Sequence, residues 1–115
     1  MDEKALECQI AVMLRLIGVQ PNVRGWDYIM TAVKLAVQDG EIVHTMTKRL
    51  YPAVAAKHAT TPSKVERAIR HAVETAWTHG DWKTQQHYFG NTTSPNKGKP
   101  TNAAFIACLA WWCRQ

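Results

Sequence analysis

Apolar residues recur along the chain at helical spacing, and no stretch sustains the strict alternation of a half-buried strand. Leu6, Ile10, Met13, Leu14 and Ile17 share one stripe and predict a first helix over residues 5–17, stopped by Gly18. After a loop holding Pro21, Ile29, Ala32, Val33 and Ala36 predict a second helix over 25–38, ended by Asp39 and Gly40. A third is predicted over 45–58, with Val54, Ala55 and His58 on its buried side. Pro52 lies inside it, and its ring must either kink the helix or restart it. A fourth runs over 62–79 to Gly80, and a short fifth over 82–89 to Gly90. A polar loop over 91–100 carries Lys97 and Lys99, and Thr101 then caps a final helix through residue 112. The predicted fold class is all-α: a compact bundle of about six helices.

Residues 52–79 form the arrangement with most chemical content. Two helices joined by about three residues, 59–61, read as a helix-turn-helix. The small residues Ala55, Ala56 and Ala59 permit a close crossing. In the second of these helices, Val65, Ala68, Ile69, Ala72, Val73, Ala76 and Trp77 make an unbroken apolar stripe. The opposite face carries Ser63, Lys64, Glu66, Arg67, Arg70, His71 and Glu74. A major groove admits one α-helix, and an arginine fork grips O6 and N7 of guanine with two hydrogen bonds. Arg67 and Arg70 lie in the first two turns, where base contacts are expected. Glu66 has the chemistry to accept from the N4 amino group of cytosine. Ser63, Lys64 and His71 are placed for phosphates or base edges. The competing reading is a solvated outer face. Glu66 also fits a capping box with Ser63, while Thr61 with Pro62 at the first helical position is a rival cap. The two caps give Glu66 different jobs.

Charge adds a partner to this pattern. The 115 residues carry a formal charge of +5, unevenly spread. Residues 1–41 hold six acids and four bases, a net of −2; residues 42–115 hold three acids and ten bases, a net of +7. The split predicts one basic face and a polyanionic partner. The loop with Lys97 and Lys99 reads either as a surface turn or as a phosphate clamp or minor-groove probe. A chain of this length is expected to be one domain, 1–115, with one core. Apolar residues at 46% exclude a disordered polyelectrolyte.

Cys8, Cys108 and Cys113 are odd in number and form no C-x-x-C, which fits a reducing compartment better than a disulfide framework. No His/Cys cluster has zinc spacing, no nucleophile–base pair or phosphate loop supports an enzyme, and no cofactor is implied. Asp2 and Glu3 argue against a signal peptide, and the apolar run over 103–112 is too short to span a bilayer. The expected location is the cytoplasm.

Three stretches resemble a known family. They are Thr47-Lys48 with Leu50-Tyr51-Pro52, residues 65–72 with Glu74, Ala76 and Trp77, and Lys97, Lys99, Pro100, Thr101 and Asn102 with Phe105, Ile106 and Ala107. The chain resembles the C-terminal DNA-binding effector domain of the master response regulator of sporulation initiation, the stage 0 sporulation protein A family. The resemblance implies a six-helix domain around a helix-turn-helix that binds short promoter boxes in double-stranded DNA. By position, it places Glu66, Arg67 and Arg70 at base-reading sites. Ser63, Lys64, His71, Lys97 and Lys99 fall on or near backbone-contacting ones. It further implies contact with a sigma factor of RNA polymerase through residues 80–93, a homodimer through the last helix, and a bacterial location at the nucleoid.

The chain also departs from the family. Trp82, Gln85, Gln86 and His87 differ from its pattern, Lys64 stands where it usually has Arg, and no receiver domain is expected before residue 1. Trp111 and Trp112 stand where the family is charged. Two adjacent tryptophans cannot both face inward, so one is expected at the surface as an interface candidate, unless the tail folds over it. The alternative to a DNA reader is therefore a protein-interaction module, an antagonist that pairs with a full-length regulator and reads no sequence.

Overall fold

The computed structural model describes residues 2–90 and 98–115. Its first helix, α1 (Glu3–Ile17), starts at Asp2, whose carboxylate accepts from the Ala5 N–H at 2.8 Å. It stops at Gly18, whose φ of 118° lies in the left-handed region. Ile10, Met13, Leu14 and Ile17 are buried, as the stripe requires. Helix α2 (Arg24–Gln38) is the central element. It buries Tyr28, Ile29, Ala32, Val33 and Ala36 and packs on α1 and on the helical segments over 40–44, 51–57, 62–79 and 102–113.

The segment expected as one helix over 45–58 is corrected. A 3-10 helix, Gly40–His44, leads into a π-helical turn, Met46–Leu50, and α3 (Tyr51–Lys57) follows. The Leu50 N–H reaches back five residues to the Thr45 carbonyl at 3.2 Å, and the Tyr51 N–H to Met46. Pro52 thus sits in the first turn of α3, where its missing N–H leaves no bond unmade. The proline restarts the helix, and a π turn absorbs the surplus residue.

The α3–α4 turn passes through Ala59 at φ 52°. Ala55 is buried at the crossing, but Ala56 and Ala59 are exposed and take no part in it. Helix α4 (Pro62–His79) buries Val65, Ile69, Ala72, Val73 and Ala76, mainly against α2 and α3. Helix α5 (Trp82–Phe89) is capped by Asp81, whose carboxylate accepts from the Thr84 hydroxyl and N–H and is held below the usual range by those bonds. Helix α6 (Asn102–Cys113) is capped by Thr101 and lays Phe105, Ile106, Leu109 and Ala110 into the core, chiefly on α2. Among the described residues the architecture is an all-α bundle of six α-helices. Among the described residues no helix is long and apolar enough to cross a membrane.

Two close contacts set the frame under α4. Gly25 lets the start of α2 press on the α4 backbone at Ala68 and on the Ala72 Cβ. At the far end, the buried Gln85 side chain donates to the Ile17 carbonyl at 3.1 Å and to the Ala76 carbonyl at 2.8 Å. It joins the ends of α1 and α4 to α5.

Candidate nucleic-acid interface

The start of α4 settles which cap operates. Thr61 Oγ1 accepts from the Lys64 N–H at 3.2 Å, and Pro62 follows as the first helical residue. Ser63 is exposed and does not cap. Glu66 is therefore not drawn back to the helix start. Its Oε2 accepts from Arg70 Nε at 2.9 Å, one turn on. Glu74 Oε1 approaches Arg70 Nη1 at 3.7 Å from the other side. The Arg70 guanidinium lies between two carboxylates, and the Glu66 hydrogen bond raises its pKa further. All three side chains remain 38–49% exposed.

Arg67 differs from Arg70. It points away from the core, and its side chain makes no hydrogen bond or ion pair among the described residues. Lys64 and His71 lie on its flank, equally exposed and without a carboxylate partner. The three line a groove with Arg24 and Tyr28 of α2 and with His58, Ala59 and Thr60 of the turn. Among the described residues no carboxylate lines this groove. The His58 ring is fixed there by a 2.8 Å hydrogen bond between Nε2 and Thr31 Oγ1 and by an edge contact on Tyr28, centroids 5.1 Å apart.

Lys99 lies on the opposite flank of α4. It lines a cleft with Glu66, Arg70, Tyr51 and Asn102. Asn102 Nδ2 donates to the Tyr51 hydroxyl oxygen at 3.0 Å and to the Glu66 carbonyl at 3.2 Å, which pins the start of α6 to α3 and α4. Burial pushes the Tyr51 phenol up, so it stays neutral. Lys97 lies outside the described residues, as do residues 91–93 of the stretch tied to sigma-factor contact.

The two tryptophans separate as expected. Trp111 is 50% exposed and Trp112 half-buried. Trp112 Nε1 donates to the Tyr88 carbonyl at 2.9 Å, and its ring stacks on His87. The tail does not cover Trp111: Arg114 turns instead to the Ala36 carbonyl at 3.1 Å. The pair is on α6, apart from the residues that line the basic groove.

The structure thus gathers Lys64, Arg67 and His71 on one flank of α4, and Glu66, Arg70 and Lys99 on the other. Sequence reasoning missed Arg24 and His58. The available signal was Gly25, a glycine opening an otherwise amphipathic helix, which marks close packing of its first turn.

A basic, carboxylate-free groove beside the second helix of a helix-turn-helix defines the class: a DNA-binding fold. Residues 10–111 match the model of the family described as sporulation initiation factor Spo0A C terminal, and the chain belongs to that family. The family is the DNA-binding domain of a sporulation regulator, not a kind of enzyme. Double-stranded DNA is its partner.

Proposed function

We propose that this chain reads specific sequences in double-stranded DNA with α4 laid in the major groove, and so regulates transcription. The observation that carries the reading is the basic flank of α4, Lys64, Arg67 and His71, whose side chains have no ion-pair partner among the described residues and face a groove that no described carboxylate lines. Arg67 is the leading base reader, because no described residue holds its guanidinium. Arg70 and Glu66 read as a pair, a donor fork beside an acceptor. Ser63, Lys64, His71, Lys97 and Lys99 contact phosphates, which set affinity and register but not sequence. Residues 80–93 contact a sigma factor, and the protein pairs with itself through α6.

The half-exposed Trp111 supports a second reading, an interaction module that pairs with a full-length regulator and binds DNA without sequence preference. A salt-dependent titration separates the two. It uses a fluorescent duplex with the family's promoter box and a scrambled duplex of equal length. A preference of ~10³ or more for the box establishes the sequence reader. Equal, weak, salt-sensitive binding to both favours the interaction module.

A further inference from the structure

We propose that Arg24, at the start of α2, is a phosphate contact that makes the groove between α2 and α4 a two-walled clamp for a DNA strand flanking the bases read by α4. The proposal rests on the DNA-reading function above and adds a second element to it.

Four of the chain's cations have partners inside the protein. Lys34 binds Glu3 and Glu7, Arg49 binds Asp39, Arg70 binds Glu66, and Arg114 binds the Ala36 carbonyl. Arg24 makes no such contact among the described residues and is exposed. Its position does not serve its own helix either. A cation in the first turn of a helix faces the positive end of the macrodipole. What the position provides is a cation across the groove from Lys64, Arg67 and His71, with His58 beside the turn.

The placement is rigid. Gly25, the next residue, is packed so tightly on α4 that an added Cβ would lie 2.5 Å from the Ala68 carbonyl oxygen. The main chain carrying Arg24 is therefore held against the recognition helix by backbone contact. Basic side chains from two helices and the turn, with no acid among them, suit an anion that runs along the groove. Lys64 and His71 alone are seven residues apart, about 10 Å along the axis, so an extended polyanion fits better than a single small ion. A strand of the bound duplex supplies that chemistry.

The test compares the wild-type chain with Arg24→Gln and Arg24→Lys on the box and scrambled duplexes over a salt series. Arg24→Gln is expected to bind both duplexes three- to ten-fold more weakly, with the box preference unchanged. Its log–log salt slope should fall by about 0.9, the value of one released counterion contact. Arg24→Lys should restore the slope. A series of box duplexes, each with one neutral methylphosphonate, then locates the partner. One position outside the box should weaken wild type and leave Arg24→Gln unaffected. Unchanged melting temperatures would show that the fold is intact, as expected for a side chain with no partner among the described residues.

An unchanged slope in Arg24→Gln, or a loss that no single methylphosphonate reproduces, overturns the clamp and leaves base reading by α4 standing. Sequence-blind binding by wild type with a slope that still falls in Arg24→Gln overturns base reading and leaves the clamp standing. Absence of DNA binding by wild type overturns both.

Discussion

Gly25 and Ala68 stand so close that a Cβ built on Gly25 would lie 2.5 Å from the Ala68 carbonyl oxygen and 2.7 Å from the Ala72 Cβ. Both obstacles belong to the backbone or to a side chain that cannot move aside, so the two helices must separate to admit a methyl group. Gly25→Ala should therefore destabilise the protein by about 1–3 kcal/mol, although alanine is the better helix former. A chain of this size would lose roughly 5–15 °C in Tm. Gly40, with nothing within 4 Å of its Cβ position, is the control. Gly40→Ala should stay within about 0.5 kcal/mol of wild type in the same denaturant melts.

The same contact explains what was legible in the sequence. Helix α4 could be read directly, because its seven apolar positions keep one phase from Val65 to Trp77 and Pro62 marks its start. The segment before it could not be read fully. Apolar positions continue across Pro52, and periodicity does not reveal a π turn that shifts the register by one residue. The role of Glu66 was ambiguous because Thr61 and Ser63 are both good caps, and the choice depends on backbone angles. Arg24 could not be placed beside Lys64 from the sequence, because 40 positions separate them. Only the packing of α2 on α4 brings them to one groove. Gln85 read as a departure on a short polar helix, and its burial follows from the meeting of three helix ends.

Gln85 offers a test of that junction. Its buried amide donates to two carbonyls, and Gly80 beside it has no room for a Cβ. Gln85→Ala should cost about 2–4 kcal/mol, since it leaves the Ile17 carbonyl unpaired and opens a cavity. Gln85→Glu keeps the shape but replaces two donors by a carboxyl group. Burial and the facing carbonyls favour its protonated form, so its folded pKa lies above the unfolded ~4.3. The variant should therefore be least destabilised near pH 4 and progressively weaker as pH rises through the folded value. A loss independent of pH in urea melts would show that the carboxyl escapes the site.

The three thiols should differ in reactivity. Cys8 is exposed, whereas burial pushes the Cys108 thiol up to about 11 and raises Cys113 as well. Cys108 Sγ also donates to the Tyr88 carbonyl. At pH 8 a thiol reagent should label one cysteine per native chain, Cys8, and all three after unfolding. Native stability should fall as pH rises above ~9, because the unfolded chain then ionises these cysteines while the folded one holds its protons. Rapid native labelling of Cys108 would mean that α6 opens readily from α5.

Arg67 and Arg70 carry the last prediction. Pairing with Glu66 and Glu74 does not disqualify Arg70 as a base reader, on magnitude. An exposed pair one turn apart is worth about 0.3–0.5 kcal/mol, against about 1–3 kcal/mol for a good bidentate contact to guanine. The pairing does make the two arginines unequal. Arg67→Ala should cost about 1–3 kcal/mol on the box duplex, much less on a scrambled one, and relax the preference at one base pair. Equal losses on both duplexes would end its base-reading role. Glu74 contributes the opposite sign. Its carboxylate shares the outer face with Arg67 and holds one side of Arg70. Glu74→Gln should remove repulsion from phosphate and free the guanidinium, tightening both duplexes by about two- to five-fold. Weaker binding by Glu74→Gln to the box alone would mean instead that Glu74 orients Arg70 toward its base, and would make the Glu66–Arg70–Glu74 row one reading unit.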